Sequence, residues 1–225
     1  SAGVSDFIRN VKRLYVQPGG AVIDTAATTM TISRSLVDDP AYAGVAGGFK
    51  KLGSGSLYLS ASNAFSGPIT VTEGQLHFTA TNGLPTTYAG AVLLTSNALI
   101  AARQVGGATL LAQRLQAASS GRLGLYAINT NDAINLTSLP NVMLEYLESG
   151  SFNTAITPYN NSYIFRPMGT AVTYGSAIAD VAGYPASITL PTNTPAAGRL
   201  ILAQANALTG PVLIEGGILE IRHAD

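Results

Sequence analysis

The sequence predicts an all-β fold, a right-handed parallel β-helix in which the chain coils into stacked turns. Three observations predict it: a strand-rich segment that occurs twice, short apolar alternations along the whole chain, and a charged-residue content of only 11%. The repeat is the strongest of the three, because a repeated unit buries its apolar face only against a neighbouring unit. We therefore expect a single β-helix domain over residues 1–225.

The repeat relates residues 53–78 to residues 196–221 at a constant offset without a gap. Each copy reads as a strand, a polar corner, a second strand, a glycine turn and a third strand. Asparagine at a corner tolerates the left-handed conformation and can bond to the backbone, and proline at a strand's first position loses no essential ladder bond. The identical positions are Gly55, Leu57, Leu59, Asn63, Ala64, Gly67, Pro68, Gly74 and Leu76, against Gly198, Leu200, Leu202, Asn206, Ala207, Gly210, Pro211, Gly217 and Leu219.

Other segments show the alternation of apolar and mixed positions that is typical of half-buried strands. Successive strands of a parallel coil would place Leu57, Ile69, Val71 and Leu76 over equivalent apolar residues. Turns of about 20–25 residues would give roughly ten of them. The predicted strands are 13–17, 21–25, 30–36, 56–60, 68–72, 75–79, 91–95, 122–128, 142–147, 163–167, 171–175, 199–203, 211–215 and 218–222.

Three segments are less regular. Residues 6–16 have apolar residues at helical spacing, which fits either a short amphipathic cap over the core or an irregular leader followed by a strand. Residues 108–119 contain good helix formers without a cap, and their neighbours are strands, so we expect strands joined by a bend. The proline-rich stretch 185–198 predicts a loop with one edge strand, since proline interrupts a ladder.

Composition excludes several classes of protein. The net charge is zero and no basic stripe is present, which argues against nucleic acid as a partner. The pairs Lys12-Arg13 and Lys50-Lys51 are expected to be solvated loop charges. Cysteine is absent, so disulfides and thiolate metal sites are excluded. No run approaches the roughly 20 apolar residues of a membrane helix, so no membrane insertion by this segment is expected.

The repeated pattern runs Gly-x-Leu-x-Leu, then Asn-Ala-[Phe/Leu]-[Ser/Thr]-Gly-Pro, then a β run and Gly-x-Leu. It resembles the autotransporter-associated β-strand repeat of secreted bacterial passenger and surface proteins. Residues 19–36, 47–60 and 149–165 also look like turns that accompany that repeat. The resemblance implies a right-handed parallel β-helix outside the cell or on the bacterial surface. It does not imply an activity, since family members include adhesins and protease stalks.

No residues combine into a catalytic, cofactor-binding or metal site. His77 and His223 are expected to be surface histidines, with His77 pointing outward by alternation with Phe78. Asp38-Asp39 reads as a turn, and a calcium site there would need about six to eight oxygens. Glu145 and Glu148 would serve a glycosidase if both lay on one face, but a solvated outer face is the favoured interpretation.

The remaining polar and aromatic candidates also have structural interpretations. Glu73, Glu215 and Glu220 are expected at outward or turn positions, and Arg103, Arg114 and Arg122 as surface charges. The tyrosines of the second half are expected to pack at corners, the alternative being that they stack on sugar rings. They are Tyr126, Tyr146, Tyr159, Tyr163 and Tyr174.

These features predict a non-enzymatic extracellular scaffold or adhesin without cofactors, which forms a rod. Its expected partners are itself, by end-to-end stacking into a filament, or further β-helix of the same parent chain, with contact to a cell surface or glycan as a third option. The alternative function is a β-helix polysaccharide depolymerase, lyase or carbohydrate-binding module. The sequence leaves open the receptor, the oligomeric state, and whether the chain is a fragment or a complete subunit.

Overall fold

The computed structural model describes residues 6, 8, 10–95, 97–169 and 171–222. Nearly all of its regular structure is short β-strand, and every pairing between strands is parallel. The strands are β1 (Arg13–Val16), β2 (Ala21–Asp24), β3 (Met30–Ile32), β4 (Ser35–Asp38), β5 (Phe49–Leu52), β6 (Ser56–Leu59), β7 (Ile69–Val71), β8 (Gly74–Phe78), β9 (Val92–Leu94), β10 (Ala98–Ala102), β11 (Arg122–Leu125), β12 (Ala133–Asn135), β13 (Met143–Tyr146), β14 (Gly150–Phe152), β15 (Ala155–Thr157), β16 (Ser162–Pro167), β17 (Val172–Tyr174), β18 (Ser187–Leu190), β19 (Arg199–Leu202), β20 (Val212–Ile214) and β21 (Ile218–Ile221).

One long sheet runs along the molecule and shows that the chain is a parallel β-solenoid. Its nine strands have the order β20-β18-β16-β13-β11-β10-β8-β6-β3. The other faces are formed by the ladders β2-β5-β7-β9, β14-β17-β19-β21, β1-β4 and β12-β15. The predicted fold class is confirmed with about nine turns, close to the expected ten. The right hand of the coil stays a prediction, in line with the strong preference of parallel crossovers.

The core is a set of columns in which each inward side chain lies over its equivalent one turn away. Leu57 pairs with Leu76, Leu76 with Ile100, Ile100 with Leu123, and Leu123 with Leu144. All five are at most 2% exposed. Burial of one such side chain contributes about 1.5–3 kcal/mol before entropy, so the register of the ladders fixes the fold.

The two copies of the repeat use the faces of the solenoid differently. In the first copy, β6 and β8 belong to the nine-stranded sheet, and β7 belongs to the β2-β5-β7-β9 ladder. In the second copy, β20 belongs to the nine-stranded sheet, and β19 and β21 belong to the β14-β17-β19-β21 ladder. The long sheet consists of two ladders that meet at β16, because β13 pairs with its residues 165–167 and β18 pairs with its residues 162–164. Equivalent strands of the two copies therefore belong to different ladders.

The expectation of strands at 108–119 is wrong, because Gly107–Arg114 form an α-helix, α1. Its N-terminal amides are satisfied from the next turn of the solenoid. The Asp132 carboxylate accepts from the N–H groups of Gly106, Ala108 and Thr109 at 3.0, 2.8 and 3.2 Å. Such caps stabilise a helix terminus, and one that lies so far away in sequence leaves no local signal.

Two further segments test the sequence predictions: one prediction is wrong in part, and the other had left two interpretations open. Ser187–Leu190 form β18 inside the nine-stranded sheet, between β16 and β20, so it is not an edge strand. Its flanking prolines, Pro185 and Pro191, lie just outside the strand and remove no bond from it. Among the described residues of 6–16, none is helical; the chain bends and enters β1, as the leader interpretation expects.

Within the described part of the chain, no helix has the length and apolar character needed to cross a bilayer.

Candidate functional site

Lys51 is buried inside the first half of the solenoid, so the expectation of a solvated Lys50-Lys51 pair holds for Lys50 alone. Lys51 lies on the inward face of β5, and its side chain points into a group of oxygen atoms that we call the lysine cradle. Its Nζ donates to Thr25 Oγ1 at 2.8 Å, to the Gly55 carbonyl at 2.6 Å and to the Glu73 carbonyl at 3.0 Å, and also to the Gly53 carbonyl.

This ammonium group joins three successive turns of the coil at one corner. Burial lowers the pKa of Lys51 from 10.5 to about 8, while the charges of Glu73 and Asp24 act against the shift. Gly74, at φ +68, makes room for the ammonium, because a Cβ there would lie 2.5 Å from Nζ. The cradle is a structural cross-link that sequence reasoning missed; a lysine at an inward strand position was the available signal.

A second cross-link is the asparagine corner of each repeat. Asn63 Oδ1 accepts from the Leu36 N–H at 3.0 Å, and its Nδ2 donates to the carbonyls of Ala61 at 3.0 Å and Gly83 at 2.7 Å. Asn206 Oδ1 accepts from the Ile178 N–H at 2.8 Å, and its Nδ2 donates to the Gln204 carbonyl at 2.6 Å. The predicted bonding of the corner asparagines to the backbone is therefore confirmed in both copies, but neither Asn63 nor Asn206 has the positive φ of a left-handed residue.

His77 lies on the outer face of the nine-stranded sheet, as alternation predicts, but the expectation of a solvent-facing ring is wrong. Tyr126 reaches over Ala101 and covers the imidazole, which leaves His77 3% exposed. His77 Nδ1 lies 2.7 Å from the Tyr126 hydroxyl and Nε2 lies 2.8 Å from Gln75 Oε1, while the ring stacks on Tyr58. Burial lowers the pKa of His77 from 6.5 to about 4.

The favoured interpretation of Glu145 and Glu148 as part of a solvated outer face is wrong for Glu145, and neither carboxylate is free of ion pairs. Glu145 is 1% exposed and forms ion pairs with Arg122, at 3.2 Å, and with Arg166. Glu148 forms an ion pair with Arg103 at 2.8 Å and accepts from the Ala127 N–H at 2.8 Å. These contacts link neighbouring turns, and Arg122 is a partner in a buried ion pair rather than a surface charge.

The other charged candidates lie at turns or on the surface. Asp39 caps the 3-10 turn Pro40–Tyr42, and Asp38 accepts from Ser66, as a turn interpretation expects. Glu73 and Glu215 are exposed, and Glu220 forms ion pairs with Arg199, at 3.1 Å, and Arg222. In the described residues, no three histidine or acidic side chains converge on a position that could hold a metal ion. His223 lies outside those residues.

The tyrosines of the second half mostly pack, as expected. Tyr126, Tyr146, Tyr163 and Tyr174 are at most 8% exposed, whereas Tyr159 is 39% exposed. Tyr146 contacts Phe152 edge to face at 4.7 Å between ring centroids, and its hydroxyl is buried without a partner among the described residues. Burial raises the pKa of Tyr174 to about 12.

The two ends of the described stack differ. At the first turns, Ile8 packs against the core, and the Asp6 carboxylate accepts from the Ser33 N–H and hydroxyl at 3.2 and 2.6 Å. At the last turn, Val212 and Ile214 are 44% and 49% exposed, and Ile221 is 69% exposed. An apolar depression of about 420 Å³ opens there between Leu202, Leu208, Val212 and Leu219.

Comparison with known families supports the resemblance that the sequence suggested. The model of the passenger-associated-transport-repeat matches residues 49–78 and 197–221, about a quarter of the chain. Neither the comparison with curated proteins nor the comparison with solved structures found a match. Both matched segments coincide with the two copies of the repeat, so the chain carries two segments similar to the passenger-associated-transport-repeat, each forming turns of the solenoid.

Proposed function

We propose that this chain is a non-enzymatic structural segment of a secreted or surface-exposed passenger-type protein, in which the solenoid serves as a rod that spaces or presents other parts. The observation that carries the proposal is the pair of passenger-type repeats on a parallel β-solenoid. The cross-links at Lys51, Asn63 and Glu145 support it, because they use the polar groups that a catalytic site would need.

The last turn gives this rod a surface for association. β20 and β21 are the terminal strands of their sheets, so their outer edges have unpaired backbone groups in the described structure. Such edges pair readily with another strand, and exposed Ile221 lies beside them. The occupant that matches both the edge and the apolar end is a further β-helix turn, either from the same parent chain or from a second copy.

Light scattering coupled to size-exclusion chromatography tests the association. The chain is expected to form dimers or longer species whose proportion rises with concentration, and the double variant Ile214→Lys/Ile221→Lys is expected to shift it toward monomer. Val105→Lys is the matched control, since Val105 is 77% exposed away from the last turn. A wild-type chain that stays monomeric at every accessible concentration excludes the second copy and leaves turns of the same chain as occupant.

Activity assays test the non-enzymatic role. The purified chain, incubated with neutral and uronic-acid polysaccharides, is expected to release no reducing ends and no unsaturated products. Release that Glu145→Gln or Glu148→Gln abolishes would refute the structural role and support the depolymerase alternative.

A further inference from the structure

Two adjoining depressions form one groove along the side of the second half of the solenoid. The first has a volume of about 240 Å³ and the second about 430 Å³. They share Ile156, Pro158, Asn160 and Tyr163. The groove extends from the loop after β12 to the bend at Val181–Tyr184, and it therefore crosses three successive turns.

The groove has a topological cause. In the first half, each strand of the nine-stranded sheet follows a strand of the β2-β5-β7-β9 ladder, as β7 leads to β8 and β9 leads to β10. That ladder ends at β9, which makes only an isolated bridge to Leu115. In the second half, loops lead from β12 to β13 and from β15 to β16, and the groove lies at these loops.

The lining of the groove is uncharged but includes polar side chains that form no hydrogen bond within the described structure. Within the described residues, neither depression is lined by an acidic, basic or histidine side chain. The side chains of Thr157, Asn160 and Ser162 form no hydrogen bond in the described structure. Tyr159, 39% exposed, lines the first depression, and Tyr184, 50% exposed, lines the second; Asn160 lines both.

The backbone conformation at Asn160 and Asn161 fixes the position of the Asn160 side chain. Asn160 and Asn161 are both left-handed, at φ 47 and φ 57, a conformation that costs free energy for a residue other than glycine. The Asn161 amide anchors the turn, since its Nδ2 donates to the carbonyls of Ala179 and Tyr184 at 3.1 and 2.9 Å. The neighbouring Asn160 side chain is thereby presented at the surface of the groove.

We propose that this groove binds a neutral oligosaccharide, with its chain along the axis of the solenoid. A sugar ring has an apolar face that stacks on an exposed tyrosine and hydroxyl edges that pair with amides and hydroxyls. An apolar peptide side chain would leave Thr157, Asn160 and Ser162 unpaired, which is costly once they are desolvated. An anionic polysaccharide finds no cation in the lining. The proposal does not depend on association at the last turn.

Isothermal titration calorimetry with neutral hexasaccharides of β-1,4-linked glucose, α-1,4-linked glucose and β-1,4-linked N-acetylglucosamine tests the proposal. At least one is expected to bind saturably to the wild-type chain. Loss of one stacking ring is expected to weaken that binding roughly three- to tenfold in Tyr159→Ala and in Tyr184→Ala. The control Tyr42→Ala removes a ring of similar exposure, 47%, from the first half and is expected to bind as the wild type does.

Asn160→Gly separates binding from folding. Glycine adopts the left-handed conformation without strain, so the melting temperature is expected to stay the same or rise, while the affinity for the hexasaccharide falls. Hexagalacturonate and an uncharged Leu/Ala/Gly decapeptide serve as competing probes. The proposal is overturned if none of the neutral sugars binds, if the groove variants bind as the wild type does, or if either competing probe binds the groove more tightly than the sugars.

Discussion

In the first copy of the repeat every strand has a paired strand on both sides, whereas in the second copy β20 and β21 are the last strands of their sheets. The same residues therefore have different environments: Leu76 is fully buried, and its equivalent Leu219 is only partly buried. The repeat therefore specifies the shape of a turn, while the neighbouring turn determines how much that shape stabilises the molecule.

The copies also differ where their sequences differ. Just before the two copies, Lys51 corresponds at the same offset to Thr194, whose hydroxyl is buried without a partner among the described residues. His77 corresponds to Glu220, so a covered imidazole in the first copy is replaced by a partly exposed ion pair in the second. The repeated positions form the ladder, and the positions that are not repeated set the local electrostatics.

The largest difference between the copies in the free energy of unfolding is expected when their equivalent leucines are truncated. Leu76→Ala is expected to lower the free energy of unfolding by about 2–5 kcal/mol, since it leaves a cavity in a closed core. Leu219→Ala is expected to cost less than about 1 kcal/mol, because the exposed last turn can relax around the smaller side chain. Urea denaturation of both variants at low protein concentration measures the two costs; equal losses would show that the last turn is covered in solution.

A change at the lysine cradle is expected to have an intermediate effect on the free energy of unfolding. Lys51→Met keeps the apolar stem but leaves the carbonyls of Gly53, Gly55 and Glu73 without the ammonium donor, which is expected to cost about 2–3 kcal/mol. Lys50→Met is the matched control, because it removes the same charge from the exposed neighbour, and no measurable loss is expected there. Thr194→Val is expected to be neutral or stabilising by urea denaturation, since it removes an unpaired hydroxyl; a loss similar to that of Lys51→Met would contradict the contrast between the copies.

The smallest change in the free energy of unfolding is expected from His77, and this change depends on pH. Its pKa is about 4 in the folded chain and about 6.5 when unfolded, so the unfolded chain binds more protons between these values. Stability from this group is therefore fully present above pH 6.5 and is lost as the pH falls toward 4, by about 1–2 kcal/mol at pH 5. Urea midpoints at pH 7 and pH 5 measure the loss.

His77→Gln provides the comparison for that pH series, because glutamine cannot titrate. The difference between wild type and variant is expected to be smaller at pH 5 than at pH 7. A wild-type chain that loses no more stability than His77→Gln between the two pH values would show that the imidazole is not shielded by Tyr126.

The parts of the fold that the sequence predicts are those fixed by local pattern. The alternation around Leu57 and Leu76 and the corner at Asn63 predict strands and a turn, because each depends only on nearby residues. Helix α1 and the burial of His77 depend on Asp132 and Tyr126, which lie one or more turns away in space, and no local pattern reports such contacts. The groove at Asn160 was missed for the same reason, since it results from the end of a ladder formed elsewhere.

The change of sheet between the copies limits how many equivalent contacts the rod can offer. Equivalent outer residues, such as His77 and Glu220, belong to different sheets, so the two copies do not present these residues side by side on one sheet. We therefore expect no avidity of the kind that two aligned copies of one site would provide.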